Sequence, residues 1–108
     1  MKNNYATLYF YRYRGSSIIR YPLSLNDSLI STIKSNFKDS IKVFNNGVVS
    51  IQTRKNKNNG FKIEIENGKS YYIKCSVKIA FPINKPKLEL MDFETGAIEF
   101  NSFKASGE

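Results

Sequence analysis

The sequence predicts an all-β fold, an antiparallel β-sandwich or partly open barrel of about seven to nine short strands. Three observations point to it. Apolar and polar residues alternate with period two along most of the chain, the pattern of half-buried strands. Three Asn-Gly pairs, Asn46-Gly47, Asn59-Gly60 and Asn67-Gly68, supply residues that tolerate positive φ and mark tight reversals. Turn signals recur about every 8 to 12 residues, the spacing of small sandwiches and barrels. The length of 108 residues suits one domain spanning 1–108, with 1–4 and 104–108 expected to fray.

Taken in order, Thr7 to Tyr13 is aromatic-rich and reads as a strand, Leu8 and Phe10 facing opposite to Tyr9 and Tyr11. Ile18 to Leu25 reads as a second strand, and Pro22 places it at an edge or a bulge because proline lacks the ladder N–H. Asn26-Asp27-Ser28 offers a turn before a short strand at Leu29 to Ile33. Helical spacing of Leu29, Ile30, Ile33 and Phe37 makes Ser28 to Phe37 the one stretch with a competing helical pattern. Asp39 to Phe44 leads to the first Asn-Gly reversal, and Val48 to Arg54 and Phe61 to Glu66 alternate on either side of the second. Tyr71 to Ile79 is the longest alternation, with Tyr71, Ile73, Cys75, Val77 and Ile79 expected in the core and Tyr72, Lys74, Ser76 and Lys78 in water. Lys87 to Met91 alternates again, Glu94-Thr95-Gly96 reads as a turn, and Ala97 to Phe100 as a final strand. The edges are expected at Tyr9 to Arg14 and Ile18 to Leu25, where strand pairing could build a homodimer.

Composition excludes much familiar chemistry. Hydrophobic residues make up 41% of the chain and aromatics 14%, too much apolar material for a disordered chain of this charge. With no His and a single Cys, Ser-His and Cys-His pairs and intrachain disulfides are impossible. Cys75, in mid-strand, reads as a small core hydrophobe. Asp92 and Glu94 are expected to flank a turn and Glu99 to lie on a strand's solvent face, a spacing too sparse for an oxygen-ligand metal loop. The expectation is a non-enzyme with no metal and no cofactor.

The formal net charge is +8, unevenly spread: residues 1–87 hold 16 of the 17 basic side chains and 4 of the 9 acidic ones. Small β-barrels bind single-stranded nucleic acid by combining exposed aromatics with a positive groove. Tyr9, Tyr11, Arg12, Arg14, Arg20, Tyr72, Lys74 and Lys78 are the candidate basic-aromatic surface of this kind. The competing reading is ordinary solubilising lysines and tyrosines with buried rings. No apolar run of about 18 residues exists to span a bilayer. Met1-Lys2-Asn3-Asn4-Tyr5 opens no secretory signal, so a native start at Met1 implies the cytoplasm.

Three segments carry a family resemblance: Leu8-Tyr9-Phe10-Tyr11-Arg12; Tyr21-Pro22-Leu23; and the stretch Glu66-Asn67-Gly68-Lys69-Ser70-Tyr71-Tyr72-Ile73-Lys74 followed by Pro86-Lys87-Leu88-Glu89-Leu90-Met91-Asp92 and Thr95-Gly96. The chain resembles the bacterial domain-of-unknown-function 2846 family over about residues 6 to 100. One departure is that Asn46-Gly47-Val48-Val49 stands where that family usually has Pro-Gly-x-His. The resemblance implies a small β-domain, often exported and frequently a lipoprotein, with no catalytic residues to carry over. The expected function is a non-catalytic binding or spacer domain of the bacterial cell envelope or periplasm with an unidentified protein or envelope partner. A basic barrel for single-stranded nucleic acid is the alternative.

Overall fold

A computed structural model of the protein describes residues 4–14, 20–44, 47–53, 61–78 and 85–104. Eight strands are followed by one helix: β1 (Ala6–Arg12), β2 (Tyr21–Leu25), β3 (Ser28–Ile33), β4 (Phe37–Val43), β5 (Gly47–Gln52), β6 (Phe61–Ile65), β7 (Ser70–Lys78), β8 (Lys85–Met91) and α1 (Phe93–Phe100). They form two four-stranded sheets, sheet A in the order β4-β1-β7-β8 and sheet B in the order β3-β2-β5-β6. The result is the sandwich that the alternation predicts, and Ser28 to Ile33 is strand, not helix.

The core lies between the sheets. Ala6, Leu8 and Phe10 of β1, Phe37 of β4, and Ile73 and Cys75 of β7 meet Tyr21 and Leu23 of β2, Ile33 of β3, Val49 and Ile51 of β5, and Ile63 and Ile65 of β6. Each set comes from alternate positions along its strand, so the period-two pattern assigns one face of each sheet to the core. Tyr21 spans the gap, its hydroxyl donating to the Ser76 carbonyl at 2.8 Å. Arg12 is buried at 4% exposure on the core-facing side of β1, its guanidinium 5.6 Å from the centre of the Tyr21 ring.

Four expectations are corrected. First, β1 and β2 are interior strands. β1 lies antiparallel to β4 and parallel to β7, and β2 lies between β3 and β5. The free edges are those of β4, β8, β3 and β6, not the two expected. Aromatics on both faces of β1 signal a strand covered on both sides, which an edge on an open face is not. Pro22 is accommodated because β2 meets β5 only through Ser24 and Leu25, and at the register shift between Leu23 and Ser24 on the β3 side the successive residues Ile30 and Ser31 are both half-buried.

The true edges each carry a protective feature. β4 presents Lys38 and Lys42, with Asp39 paired to Phe10 on the core-side face. β6 carries Lys62 and Glu64, β8 carries Pro86 and Lys87, and β3 carries the bulge.

Second, the Asn-Gly pairs do not all close hairpins. Gly47 (φ 121°) and Gly68 (φ 84°) sit where the chain passes from one sheet to the other, β4 to β5 and β6 to β7. Asn46 and the pair Asn59-Gly60 lie outside the described residues. The two-residue hairpin is at Asn26-Asp27, both with positive φ (49° and 68°), between the paired Leu25 and Ser28. Third, one strand pair is parallel, β1 with β7, and the chain crosses between the sheets four times on its way from one to the other. Fourth, Ala97 to Phe100 is not a strand. It forms the second half of α1.

Asn26 joins that hairpin to β5 twice, its N–H donating to the Ser50 carbonyl at 2.8 Å and its side-chain oxygen accepting from the Ser50 N–H at 2.9 Å. Asn26→Ala loses the side-chain bond and places an alanine at positive φ, and is expected to cost about 1–3 kcal/mol in urea unfolding. Asn26→Gly removes only the bond and should cost less. Equal costs for the two would show that the backbone conformation contributes nothing.

Candidate functional site

The outer face of sheet A is assembled by register. Pairing of Tyr9 with Tyr72 and of Tyr11 with Lys74 aligns β1 with β7, and pairing of Tyr11 with Lys38 adds β4. The Tyr9 and Tyr72 rings stack, with centres 4.7 Å apart and planes 11° from parallel. Four residues of the candidate basic-aromatic surface, Tyr9, Tyr11, Tyr72 and Lys74, thus come together as the sequence suggests.

They are not an open face: Tyr11 and Tyr72 are buried and Tyr9 and Lys74 half-buried. α1 lies across them, and Tyr72, expected on the wet side of its strand, is buried. Asp92 starts the helix as its N-cap, accepting from the Thr95 N–H at 2.9 Å. That backbone bond holds its carboxyl below its ordinary value. Gly96, the buried residue of the helix, rests on Tyr72 so closely that a Cβ there would collide with the tyrosine Cβ and lie 2.7 Å from its Cγ. The helix carries glycine at mid-length because nothing larger fits, not because the chain turns there.

Phe100 sets its ring edge-on to Tyr9, Tyr72 and Tyr11, with centres 5.1, 5.8 and 6.1 Å away, and Phe93 meets Tyr72 at 5.8 Å. Such tilted pairs place ring edges against ring faces and add to the area they bury.

Glu99, expected on a solvent face, points into this face instead. Its Oε1 accepts from the Tyr11 hydroxyl at 2.6 Å and its Oε2 lies 3.6 Å from Lys74 Nζ. Lys38 Nζ sits 4.4 Å from the centre of the Phe100 ring and donates to the Phe103 carbonyl at 3.0 Å. Tyr13 packs against Phe103 at 5.0 Å, with Lys74 Nζ 5.2 Å from its own ring centre.

The other four residues of the candidate surface lie elsewhere. Arg12 faces the core. Arg14 and Arg20 are exposed where β1 ends and β2 begins. Lys78 ends β7, paired with Lys85, its side chain outside the described residues. Sequence reasoning missed Gly96, Glu99, Phe100 and Lys38. The available signal was Asp92 three residues before Thr95, with Phe93, Ala97 and Phe100 at helical spacing.

Chemically the face is committed to holding itself together. Burial, and next the bond to Glu99, push the Tyr11 hydroxyl far above its ordinary value, and burial raises Tyr72, with neighbouring Tyr9 adding to it. Both remain protonated donors. Burial pushes the Cys75 thiol up to about 12 against the opposing pull of Arg12, so no thiolate forms near neutrality. Among the described residues no three His, Cys, Asp or Glu side chains gather to hold a metal ion, and no helix is long and apolar enough to cross a membrane. No family model, curated protein or solved structure matches the chain.

Gly96→Ala forces Tyr72 and α1 apart and is expected to cost about 1–3 kcal/mol, with loss of near-ultraviolet tyrosine dichroism. An unchanged melting temperature would show that the helix seats without this contact. The Asp92 carboxyl is lowered in the folded protein, so its contribution is present above its ordinary range and is lost as pH falls through the lowered value. Acid titration should therefore weaken α1, and Asp92→Asn, which keeps a capping side chain but cannot ionise, should lack that component.

Proposed function

We propose that the protein is a non-catalytic binding or spacer domain of the bacterial cell envelope, of the kind found in the family it resembles. The observation that carries this reading is the Glu99 carboxylate bridging Tyr11 and Lys74 beneath a closed aromatic layer. The chemically capable groups of sheet A's outer face are spent on docking α1, so the sandwich is a scaffold whose partners meet its exposed rims.

The two most specific segments of the resemblance support the same reading. Tyr72 from the first and Gly96 from the second are in contact, which makes the shared residues fold determinants. A single-stranded nucleic acid seeking a stacking platform would have to displace α1 from the rings of Tyr9 and Tyr72.

A panel of chromogenic esters, phosphates and glycosides is expected to show no turnover above buffer. Turnover abolished by Asp92→Asn or Glu99→Gln in folded protein would overturn the non-catalytic reading. Fractionation of bacteria producing the full-length gene product is expected to place it with the envelope, and complete recovery in the cytosol would overturn that part.

A further inference from the structure

Within each sheet, register places the charged residues of the described strands at levels along them. At one end β1 stops and β2 starts, β3 gives way to β4, and β7 turns back to β8. The Tyr21 bond to the Ser76 carbonyl and the bond from the Asn36 N–H to the Tyr13 carbonyl tie the two sheets and the β3–β4 connection together there. Arg14 extends β1, Arg20 precedes Tyr21, and Lys34 follows Ile33, which is paired with Tyr21. Lys78 and Lys85 are register partners at the ends of β7 and β8, and Lys87 is paired with Ser76.

Arg14, Arg20, Lys34 and Lys87 are exposed. Among the described residues Lys87 has an ion pair, at 4.0 Å to Glu89, and no carboxylate lies within ion-pair distance of Arg14, Arg20 or Lys34. Toward the opposite end lie Asp27, Glu64, Glu66, Asp92 and Glu94, with Lys69 tied to Glu66 at 2.9 Å.

We propose that this basic rim is a docking surface for an anionic lipid surface. The inference rests on the envelope reading and gives it a partner. Exposed cations lie at this end of the sandwich on both sheets, Arg14 and Lys87 beside sheet A and Arg20 and Lys34 beside sheet B, and they match a plane of anionic headgroups, which attracts each nearby Lys or Arg additively. Nucleic acid would find phosphate contacts here but no open stacking platform, because α1 lies across the stacked tyrosines, leaving Tyr72 buried and Tyr9 half-buried.

The test is sedimentation of the full chain with vesicles of phosphatidylglycerol and phosphatidylcholine, against pure phosphatidylcholine, at low and physiological salt. Binding is expected only with the anionic lipid and should weaken as salt rises. Arg14→Glu/Arg20→Glu/Lys34→Glu should lower it about tenfold or more. Lys42→Glu/Lys62→Glu/Lys69→Glu, the same change in net charge placed off this rim, should lower it far less. Melting temperatures near that of the parent establish that both variants fold.

Equal losses in the two variants, or no binding to the anionic vesicles, would overturn the proposal. Tighter binding to single- or double-stranded oligonucleotides than to vesicles would also overturn it. An envelope-fractionating protein that ignores lipid overturns this inference alone. A cytosolic protein that binds oligonucleotides overturns the envelope reading as well.

Discussion

The Glu99 carboxylate decides whether sheet A has one buried face or two. Without it, the Tyr11 hydroxyl would be buried with no acceptor and Lys74 would sit under a helix with no counter-charge. Either would make seating α1 costly, since buried polar groups are tolerated only when matched. With it, the two oxygens answer the two groups that register has placed side by side on β1 and β7. The aromatic layer can then close. Phe100 reaches the stacked pair of Tyr9 and Tyr72 because Glu99 fixes the helix one residue earlier, and Gly96 lets the axis approach because it has no side chain.

That closure accounts for the strand order. β1 is apolar on both faces, with Ala6, Leu8 and Phe10 toward sheet B and Tyr9 and Tyr11 toward α1. Such a strand is stable only in a sheet's interior, between neighbours that continue both layers. β7 is its match, with Ile73 and Cys75 inward and Tyr72 outward. The two pair directly and in parallel, although nearly sixty residues separate them, because each needs a partner buried on both sides. The edges fall to strands with one wet face and charges to spare, β4 and β8.

Most of this layout was legible in the sequence, and the exceptions share a cause. The eight strands and the sandwich follow from period-two patterning, which reports local geometry. The edges, the sheet crossings at Gly47 and Gly68, and the burial of Tyr72 depend on which elements meet, and no local pattern states that. Asn-Gly reports positive φ, which a corner between sheets requires as much as a hairpin does. Thr95-Gly96 looks like a turn for the same reason. Glycine's lack of a Cβ serves flexibility in one place and close approach in another, and only Tyr72 tells them apart. Of the candidate surface, grouping by alternation brought Tyr9, Tyr11, Tyr72 and Lys74 together correctly. It failed to see that a short helix with its own carboxylate would occupy the face, and it assigned Arg12 to the wrong side of β1.

The charges left outside that closed face are arranged against the interest of stability alone. Cations gathered at one rim repel one another, and a chain selected only to fold would lose nothing by interleaving Asp27, Glu64 or Glu66 among them. The pairing of strands allows such mixing freely, since Arg14, Arg20, Lys34 and Lys87 are all exposed. Instead Asp27, Glu64, Glu66, Asp92 and Glu94 lie toward the opposite end and Glu99 lies on α1, while Glu89 beside Lys87 and Asp39 near the start of β4 are the described acids closer to the rim. Where they meet lysines away from the rim, as in Lys69 with Glu66 and Lys74 with Glu99, they act on local structure, and on the rim Glu89 meets Lys87 at 4.0 Å while Arg14, Arg20 and Lys34 have no carboxylate within ion-pair distance among the described residues. An arrangement that the fold does not require and that costs it something in self-repulsion is best understood through what the rim meets, and a planar anionic surface lowers the potential of all of these cations together.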